Sequence, residues 1–507
     1  MDFQAAGTNG KARPVVAVID VGSNSVRLLV ARQLSPEAFE VVDEERFDAR
    51  LGENQRDGAL TPEGIARGMR AMRIMYEVAQ SYAPSALFIG GTEALRRAPN
   101  AADFLDGVEH ELGVPVQVLP AQDEAFASFV GAINSTTLAD GHIVDIGGGS
   151  LEVMRVAGRQ LVDVQSVPLG AIYATERYLK GDPPSARDIR ALRKAVGQAI
   201  TFDQKLPVLF GVGGAVRNIA RIVRARRSYP LRRLHGLEVT PRELRRVITS
   251  LVAVPSEGRR KLPGVTAGRA DILPAAAIVL DEVLIRSGAT ALTVSGQGLR
   301  EGLVWRELRG EQPVLDDVRR ASVDGLALAN GVESSASQPV VDVAGAVFEA
   351  TRRLHGLDDA DLDLLRSAAR LVDVGLHIDF YNRDRHAEYL IHSGDLHGFS
   401  HREIILIASI VRWASSGTPD LAPYKVLVQP EDARRVAVLA VLLGVARAIR
   451  RRTPSPVGSF SVEVDHRTLT VTLIGSRLDA ELNALEHQAR RLESLLRVTV
   501  TLILRPD

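Results

Sequence analysis

VIDVGSNSVRLLV, residues Val18 to Val30, returns as VDIGGGSLEVMRV, Val144 to Val156. In each copy a short apolar run ends in an aspartate, Asp20 or Asp145. A turn of glycine, serine and asparagine follows, and alternating apolar residues resume, which reads as strand, tight turn, strand. The turns GSNS (Gly22, Ser23, Asn24, Ser25) and GGGS (Gly147, Gly148, Gly149, Ser150) predict a backbone free to take positive φ. Such a turn aims consecutive N–H groups at one spot and suits a phosphate. The hydroxyls of Ser23, Ser25 and Ser150 add donors. Asp20 and Asp145 would repel a phosphate and instead suit a hard cation, or its waters, beside it. Either copy alone reads equally well as an ordinary hairpin. Two copies 145 − 20 = 125 residues apart predict an internally duplicated domain with a ligand in the cleft between its lobes.

Between the hairpins the pattern predicts a helix over Thr61–Tyr82, opened by Thr-Pro-Glu, and a strand over Ala86–Gly90. Another helix and a strand ending near Leu119 follow, an α/β alternation. Beyond the second hairpin, a strand over Leu206–Val212 meets a Gly213-Gly214 turn and a helix from about Ala215. A glycine pair at a helix start is a third phosphate or nucleotide contact, with a plain structural turn as the equal reading. The 507 residues suggest about three or four domains. Lys plus Arg (62) balance Asp plus Glu (62), so no whole-chain field points to a nucleic acid or a membrane. The absence of cysteine excludes disulfides, thiolate nucleophiles and cysteine metal sites. The start, MDFQAAGTNGKARP, lacks the apolar core of a signal peptide. The longest uncharged apolar run, Val436–Ala446, is 11 residues, where a bilayer span needs about 20. A soluble, cytoplasmic protein is expected.

The DxGSNS and DxGGGS pair, followed by a Gly-Gly turn into a helix, resembles the actin, sugar kinase and heat-shock chaperone ATPase superfamily. More narrowly, DVGSNSVRLLV, GTEALRRAPNAADFL (Gly91–Leu105), VLPAQDEAFASFVGAI (Val118–Ile133) and VDIGGGSLEV resemble the exopolyphosphatase/guanosine pentaphosphate phosphohydrolase family. GRADILPAAAIVL and SGQGLREGLVW extend the match over about residues 14 to 308. The resemblance implies an α/β fold with a duplicated ribonuclease H-like, actin-like core. It also implies Glu124 as catalytic base, Asp20, Asp145 and Glu152 as holders of Mg²⁺ (or Mn²⁺), and Arg96 as a contact to substrate phosphate. Read from its own surroundings, Glu124 sits in the first turn of a helix whose Phe126, Phe129, Val130 and Ile133 mark one apolar face. The dipole there favours the ionised carboxylate that a base requires, and capping alone is the plainer reading. Leu151 stands where many relatives carry a small polar residue, which removes a side-chain phosphate contact at that point.

After Gly310 helical periodicity runs to about Arg452, TPSPVG (Thr453–Gly458) reads as a linker, and a small β-β-α-β unit ends the chain. The expected divisions are lobe I (1–135), lobe II (136–310), a helical domain (311–452) and the small unit (453–507). The helical part resembles the HD-type domain of long family members with its metal site degenerate. Val372 precedes Asp373 where a histidine is needed, and Ala414 stands where relatives often carry another. His377, His386, His392, His397 and His401 read as structural or surface residues in preference to a ligand cluster. Arg434, Arg435, Arg447, Arg450, Arg451 and Arg452, with Arg217, Arg221, Arg224, Arg226 and Arg227, offer a channel for a long polyanion, against the default of solvated helix faces. The expected activity is hydrolysis of terminal phosphate from inorganic polyphosphate by a homodimer. Guanosine pentaphosphate hydrolysis, a non-catalytic polyphosphate or nucleotide sensor and a kinase are the alternatives.

Overall fold

The computed structural model describes residues 13–53, 58–452 and 454–506. The polar start of the chain up to residue 12, and Thr453 of the expected linker, lie outside them. Val15–Val21 (β1) is buried on both faces except at Val15 and Asp20, as befits a central strand. It pairs antiparallel with Val26–Ser35 (β2), which pairs with Ala38–Phe47 (β3). It also pairs parallel with Ala86–Gly91 (β4), and Gln117–Val118 (β5) completes the order β3-β2-β1-β4-β5. The helices of this half are Pro62–Ser81 (α1), Glu93–Arg97 (α2), Ala101–Leu112 (α3) and Ala121–Ile133 (α4). α1 begins where the Thr-Pro-Glu signal places it. The Thr61 hydroxyl accepts from the Gly64 N–H at 3.0 Å, and Pro62 occupies a first-turn position that has no N–H partner to lose.

The second half repeats the plan with Gly141–Ile146 (β6), Leu151–Ala157 (β7), Gln160–Val167 (β8), Val208–Val212 (β9), Glu238–Val239 (β10) and Ala291–Val294 (β11). Their order is β10-β11-β9-β6-β7-β8. β6 pairs antiparallel with β7 and parallel with β9, as β1 does with β2 and β4. The duplication legible in the two hairpins therefore extends through the sheets, with β10 as an added edge. The helices here are Ala171–Tyr178 (α5), Ala186–Ala199 (α6), Gly214–Arg227 (α7), Pro241–Val252 (α8), Ser256–Arg260 (α9), Leu273–Ser287 (α10) and Leu299–Arg309 (α11).

The last helix of each half packs on the sheet of the other: α4 lies against β6 to β9, and α11 against β1 and β2. Where they cross there is no room for side chains. A Cβ on Gly131 would overlap the Gly298 carbonyl, and one on Gly302 would overlap that of Ala127. Every residue of α4 from Ala127 to Ile133 is consequently buried. This corrects the reading of α4 as a helix with a single apolar face, because α11 covers the side that water would otherwise wet.

Residues up to Ser228 together with Leu234–Asp316 form one compact unit, and Tyr229–Arg233 with the chain from Asp317 form another. The second contains helices Val318–Ala329 (α12), Ser334–His355 (α13), Asp359–Leu371 (α14), Arg383–Ser393 (α15), His401–Trp413 (α16) and Asp432–Ile449 (α17). Strands Val457–Asp465 (β12) and Thr468–Gly475 (β13), helix Asp479–Leu496 (α18) and strand Thr499–Arg505 (β14) follow in the expected β-β-α-β order. They share a core with the helices: α18 packs on α17, and Leu469, Val471, Leu473, Leu485 and Leu492 are buried in the same cluster as Leu442 and Ile449. A boundary at 452/453 thus runs through one core. Among the described residues no helix is long and apolar enough to cross a membrane.

Candidate active site

The two hairpin turns face each other at close range. A Cβ on Gly148 would come within 3.0 Å of the Ser23 Cβ, and one on Gly149 would overlap the Glu93 carboxylate. None of Gly22, Gly147, Gly148 and Gly149 has a left-handed φ, so the expectation of positive φ in these turns is corrected. Close approach is what requires glycine at Gly148 and Gly149. Positive φ belongs to the third turn, where Gly213 has φ 98°.

Each turn is closed by one internal bond, Gly22 N–H to the Ser25 carbonyl (3.1 Å) and Gly147 N–H to the Ser150 carbonyl (3.0 Å). Carbonyls on both turns are also clamped by neighbouring backbone. Those of Ser23 and Asn24 accept from Gly52 and Arg50, and those of Gly147 and Gly148 from Ala171 and Ile172. In a trans peptide C=O and N–H point opposite ways, so the amides of Asn24, Ser25, Gly148 and Gly149 turn away from these clamps. They donate to no acceptor among the described residues.

Between the turns lies a cavity of about 130 Å³ lined by Asp20, Gly22 to Ser25, Glu124, Asp145, Gly147 to Ser150, Glu152, Gly213 and Gly214. Sequence positions from four separate segments are thereby brought to one place. Asp20 Oδ1 is buried and has no partner. Asp145 Oδ2 accepts from the Ser128 hydroxyl at 2.8 Å. Glu152, only 5% exposed, accepts from Ser166 at 3.0 Å and is no solvated strand glutamate. Burial pushes all three carboxyls up, Glu152 to about 8, where the neighbouring charges of Asp145 and Glu124 add to the effect. Among the described residues no three histidine or acidic side chains converge on a single metal position. An orphaned Asp20 oxygen beside Asp145 nevertheless fits a hard cation such as Mg²⁺, which needs only one or two carboxylates when water and phosphate complete its shell.

Glu124 is held by Arg96, whose guanidinium donates to Glu124 Oε2 at 2.8 Å and to the Leu119 carbonyl at 2.7 Å. Burial pushes the Glu124 carboxyl up to about 7 against the opposing pull of Arg96. Arg96 itself does not line the cavity. It stands behind Glu124, bound to that carboxylate, where the resemblance implied a contact to substrate.

The cations of the cavity are Arg27, Arg217, Arg269 and Arg300. Arg217 donates to the Gly296 carbonyl, and Arg300 to the Leu28 carbonyl and Glu44. Burial pushes Arg27 down to about 10 and Arg269 to about 9, and the mutual repulsion of these arginines pushes the same way. Such a cluster is stabilised by a polyanion. Arg27, Arg269, Arg300 and the adjacent Glu93 and Glu301 were missed from sequence. Arg27 carried a signal, since counting across the first turn places it opposite Asp20, as Glu152 is opposite Asp145. Of the arginines expected to line a channel, Arg217 is in this cavity. Arg227 pairs with Glu243, Arg435 with Asp361 and Asp432, and Arg452 with Glu481, so those charges are spent in local ion pairs. His401 is buried with Nδ1 2.7 Å from the Tyr229 hydroxyl, and desolvation holds His392 at about 4 and His397 at about 3.

The model of the Ppx/GppA phosphatase family matches residues 29–311, and that of its domain III residues 318–502. Among solved structures, the chain is similar to the Aquifex aeolicus Ppx/GppA family member, with 26% identity over 58% of this chain and 97% of that one and a TM-score of 0.52. It is similar to an exopolyphosphatase-like protein with 27% identity, 58% and 97% coverage and a TM-score of 0.54. An exopolyphosphatase from Cytophaga hutchinsonii, at 22% identity over 59% of this chain and all of that one (100%), shares the fold with a TM-score of 0.56.

Proposed function

The chain belongs to the Ppx/GppA phosphatase family, and from that premise we propose that this phosphatase removes the terminal phosphate of inorganic polyphosphate. The supporting observation is the pairing of a buried, Arg96-held Glu124 with four arginines and two glycine-rich turns around a cavity of about 130 Å³. That volume takes a phosphate end and is small beside the roughly 300–1,000 Å³ of ordinary organic-ligand sites. The Arg269 guanidinium also covers the Gly213-Gly214 turn, since a Cβ on Gly214 would overlap it. The likeness to an exopolyphosphatase-like protein at 27% identity supports this choice of substrate.

In this reading the free amides of the turns, with Arg27, Arg217 and Arg269, hold the last phosphates of the chain. Glu124 accepts a proton from the attacking water as its oxygen bonds to the terminal phosphorus. The bridging P–O bond breaks, orthophosphate leaves, and the shortened chain keeps the bridging oxygen and its charge. Arg96 orients Glu124 and keeps its basic form accessible near neutrality. Mg²⁺ or Mn²⁺ would be held by Asp20 and Asp145, with the charge of Glu152 close to them, and would neutralise charge on the transferred phosphoryl group.

The test is orthophosphate release, with Mg²⁺ present, from long-chain polyphosphate, short-chain polyphosphate and guanosine pentaphosphate. The wild type is expected to prefer polyphosphate. The Glu124→Gln variant should lose about 10²- to 10⁴-fold in rate while still binding the chain. Turnover of guanosine pentaphosphate alone would make the nucleotide the substrate, and tight binding with no turnover of any of the three would make the protein a sensor.

A further inference from the structure

The unit that begins at Asp317 contains a cavity of about 320 Å³ where the ends of α16 and α17 meet α18 and the Asp373 segment. Asp373 and Ala414, the positions at which the sequence departs from an HD-type metal site, both line it. The acceptors around it are already engaged. Arg447 reaches Asp373 at 3.5 Å and Asp384 at 3.3 Å. The terminal carbonyls of α16 are capped: Arg491 donates to Trp413 and Ala414 at 2.8 Å each, and Gln488 donates to Ser415 at 3.2 Å. A cation entering here would find its oxygen ligands taken.

The donors are in surplus. Arg383, Arg447, Arg450 and Arg451 line the cavity against the single carboxylate of Asp373. Arg450 donates one N–H to the Val457 carbonyl at 3.2 Å, while its Nε is buried without a partner. Burial depresses the proton affinity of Arg383; Arg447 and Arg451 push the same way, and Asp373 and Asp384, the latter 4.0 Å from the Arg383 Nε, oppose them. The floor is close-packed at Gly444, where a Cβ would crowd the Ala414 carbonyl at 2.5 Å and the Gln488 side chain at 2.6 Å. Spare guanidinium donors around a close-packed floor are complementary to an oxyanion with several acceptor atoms.

We propose that this cavity is a second phosphate site, binding a phosphate group outside the catalytic cleft through Arg383, Arg450 and Arg451. It rests on observations separate from those behind the active-site reading and stands or falls independently of it. The phosphate can belong to a polyphosphate chain or be free orthophosphate.

The probe is tripolyphosphate, titrated calorimetrically into the full chain. The wild type is expected to bind two per chain. Arg383→Ser/Arg451→Ser should bind one, the lost site being weakened about tenfold or more. Asn483→Trp, which fills the cavity from the exposed face of α18, should do the same if the double variant folds poorly. Arg217→Ala/Arg269→Ala should lose the other site. Two sites persisting in both cavity variants would overturn the proposal. So would a single wild-type site that is abolished by Arg217→Ala/Arg269→Ala. Orthophosphate that displaces tripolyphosphate from the second site identifies a product site, and failure to displace it identifies a chain site; both outcomes require the site to exist.

Discussion

The two hairpins share a backbone and differ in charge at one equivalent position. Asp20 of β1 faces Arg27 across the first turn, and Asp145 of β6 faces Glu152 across the second. Turn closure is the same to within 0.1 Å, 3.1 against 3.0 Å. Duplication supplied two equal cradles of amide groups, and one cross-strand exchange made one side of the cleft cationic and the other acidic. The lesson is that a repeated phosphate motif need not do the same thing twice. In the proposed mechanism both turns offer amides to phosphate and both aspartates face the cation; the first copy adds a guanidinium for anions, and the second, with Glu124 on α4 next to it, adds a carboxylate.

The sharpest way to break that contrast is Arg27→Glu, which makes the first hairpin copy the second. The expected result is a KM for polyphosphate raised about a hundredfold at fixed Mg²⁺, since a charged contact is lost and a repulsion gained. Glu152→Gln should leave KM within a few-fold and instead raise the Mg²⁺ concentration needed for half-maximal rate. Equal effects of the two variants on KM would erase the division of labour. Next in size is Gly302→Ala, which drives a methyl group into the Ala127 carbonyl of α4. Its expected cost is about 1–3 kcal/mol or more, read by denaturant unfolding, together with a fall in kcat because α4 carries Glu124.

A smaller effect concerns pH. With its carboxyl raised to about 7, Glu124 gains its basic form as pH rises, so kcat/KM should climb through that region and flatten above it. Arg96→Ala removes the group that lowers this value and should move the limb toward alkaline pH; an unmoved limb would separate Glu124 from the titration. The smallest effect is on stability. Burial and the charges of Asp145 and Glu124 hold the Glu152 carboxyl at about 8 in the folded chain against its ordinary 4.5, so the folded chain binds more protons between these values. The benefit of its protonated form is complete below 4.5 and is lost as pH rises through 8. Glu152→Gln cannot ionise and should be the more stable protein above pH 8 without divalent cation, by on the order of 1 kcal/mol, or about 1–2 °C in Tm for a chain of this size.

The local parts of this molecule were legible. Thr61 and Pro62 mark the start of α1, the two aspartates mark strand ends, and Gly213-Gly214 opens α7. Their signals lie within a few residues of the structure they determine. Glu124, Asp20, Asp145 and Glu152 were gathered by pattern and do line one cavity. The all-round burial of α4 was not legible, because the residues that cover it begin at Gly298, far along the chain. For the same reason Arg269 and Arg300 gave no sign of meeting Arg27, and Arg96 gave none of facing Glu124 in place of the cavity. Charge partners across a tertiary fold leave no periodicity. Arg435 and Arg452 looked like free basic surface until Asp361, Asp432 and Glu481 were found against them.

The crossing of α4 and α11 has a mechanical consequence. Backbone meets backbone at Gly131 and Gly302, and the side-chain packing beside the crossing is limited to small and aliphatic residues such as Ala127, Leu303 and Val304. Glu124 stands seven positions from Gly131 along α4, about 10 Å at 1.5 Å per residue. A tilt of about 10° about that fulcrum swings the carboxylate by about 2 Å, and a misplacement of about 1 Å is enough to cost about a hundredfold in rate. The glycine crossing acts as a throttle, since the angle between two helices sets how fast a bound chain end can be cut.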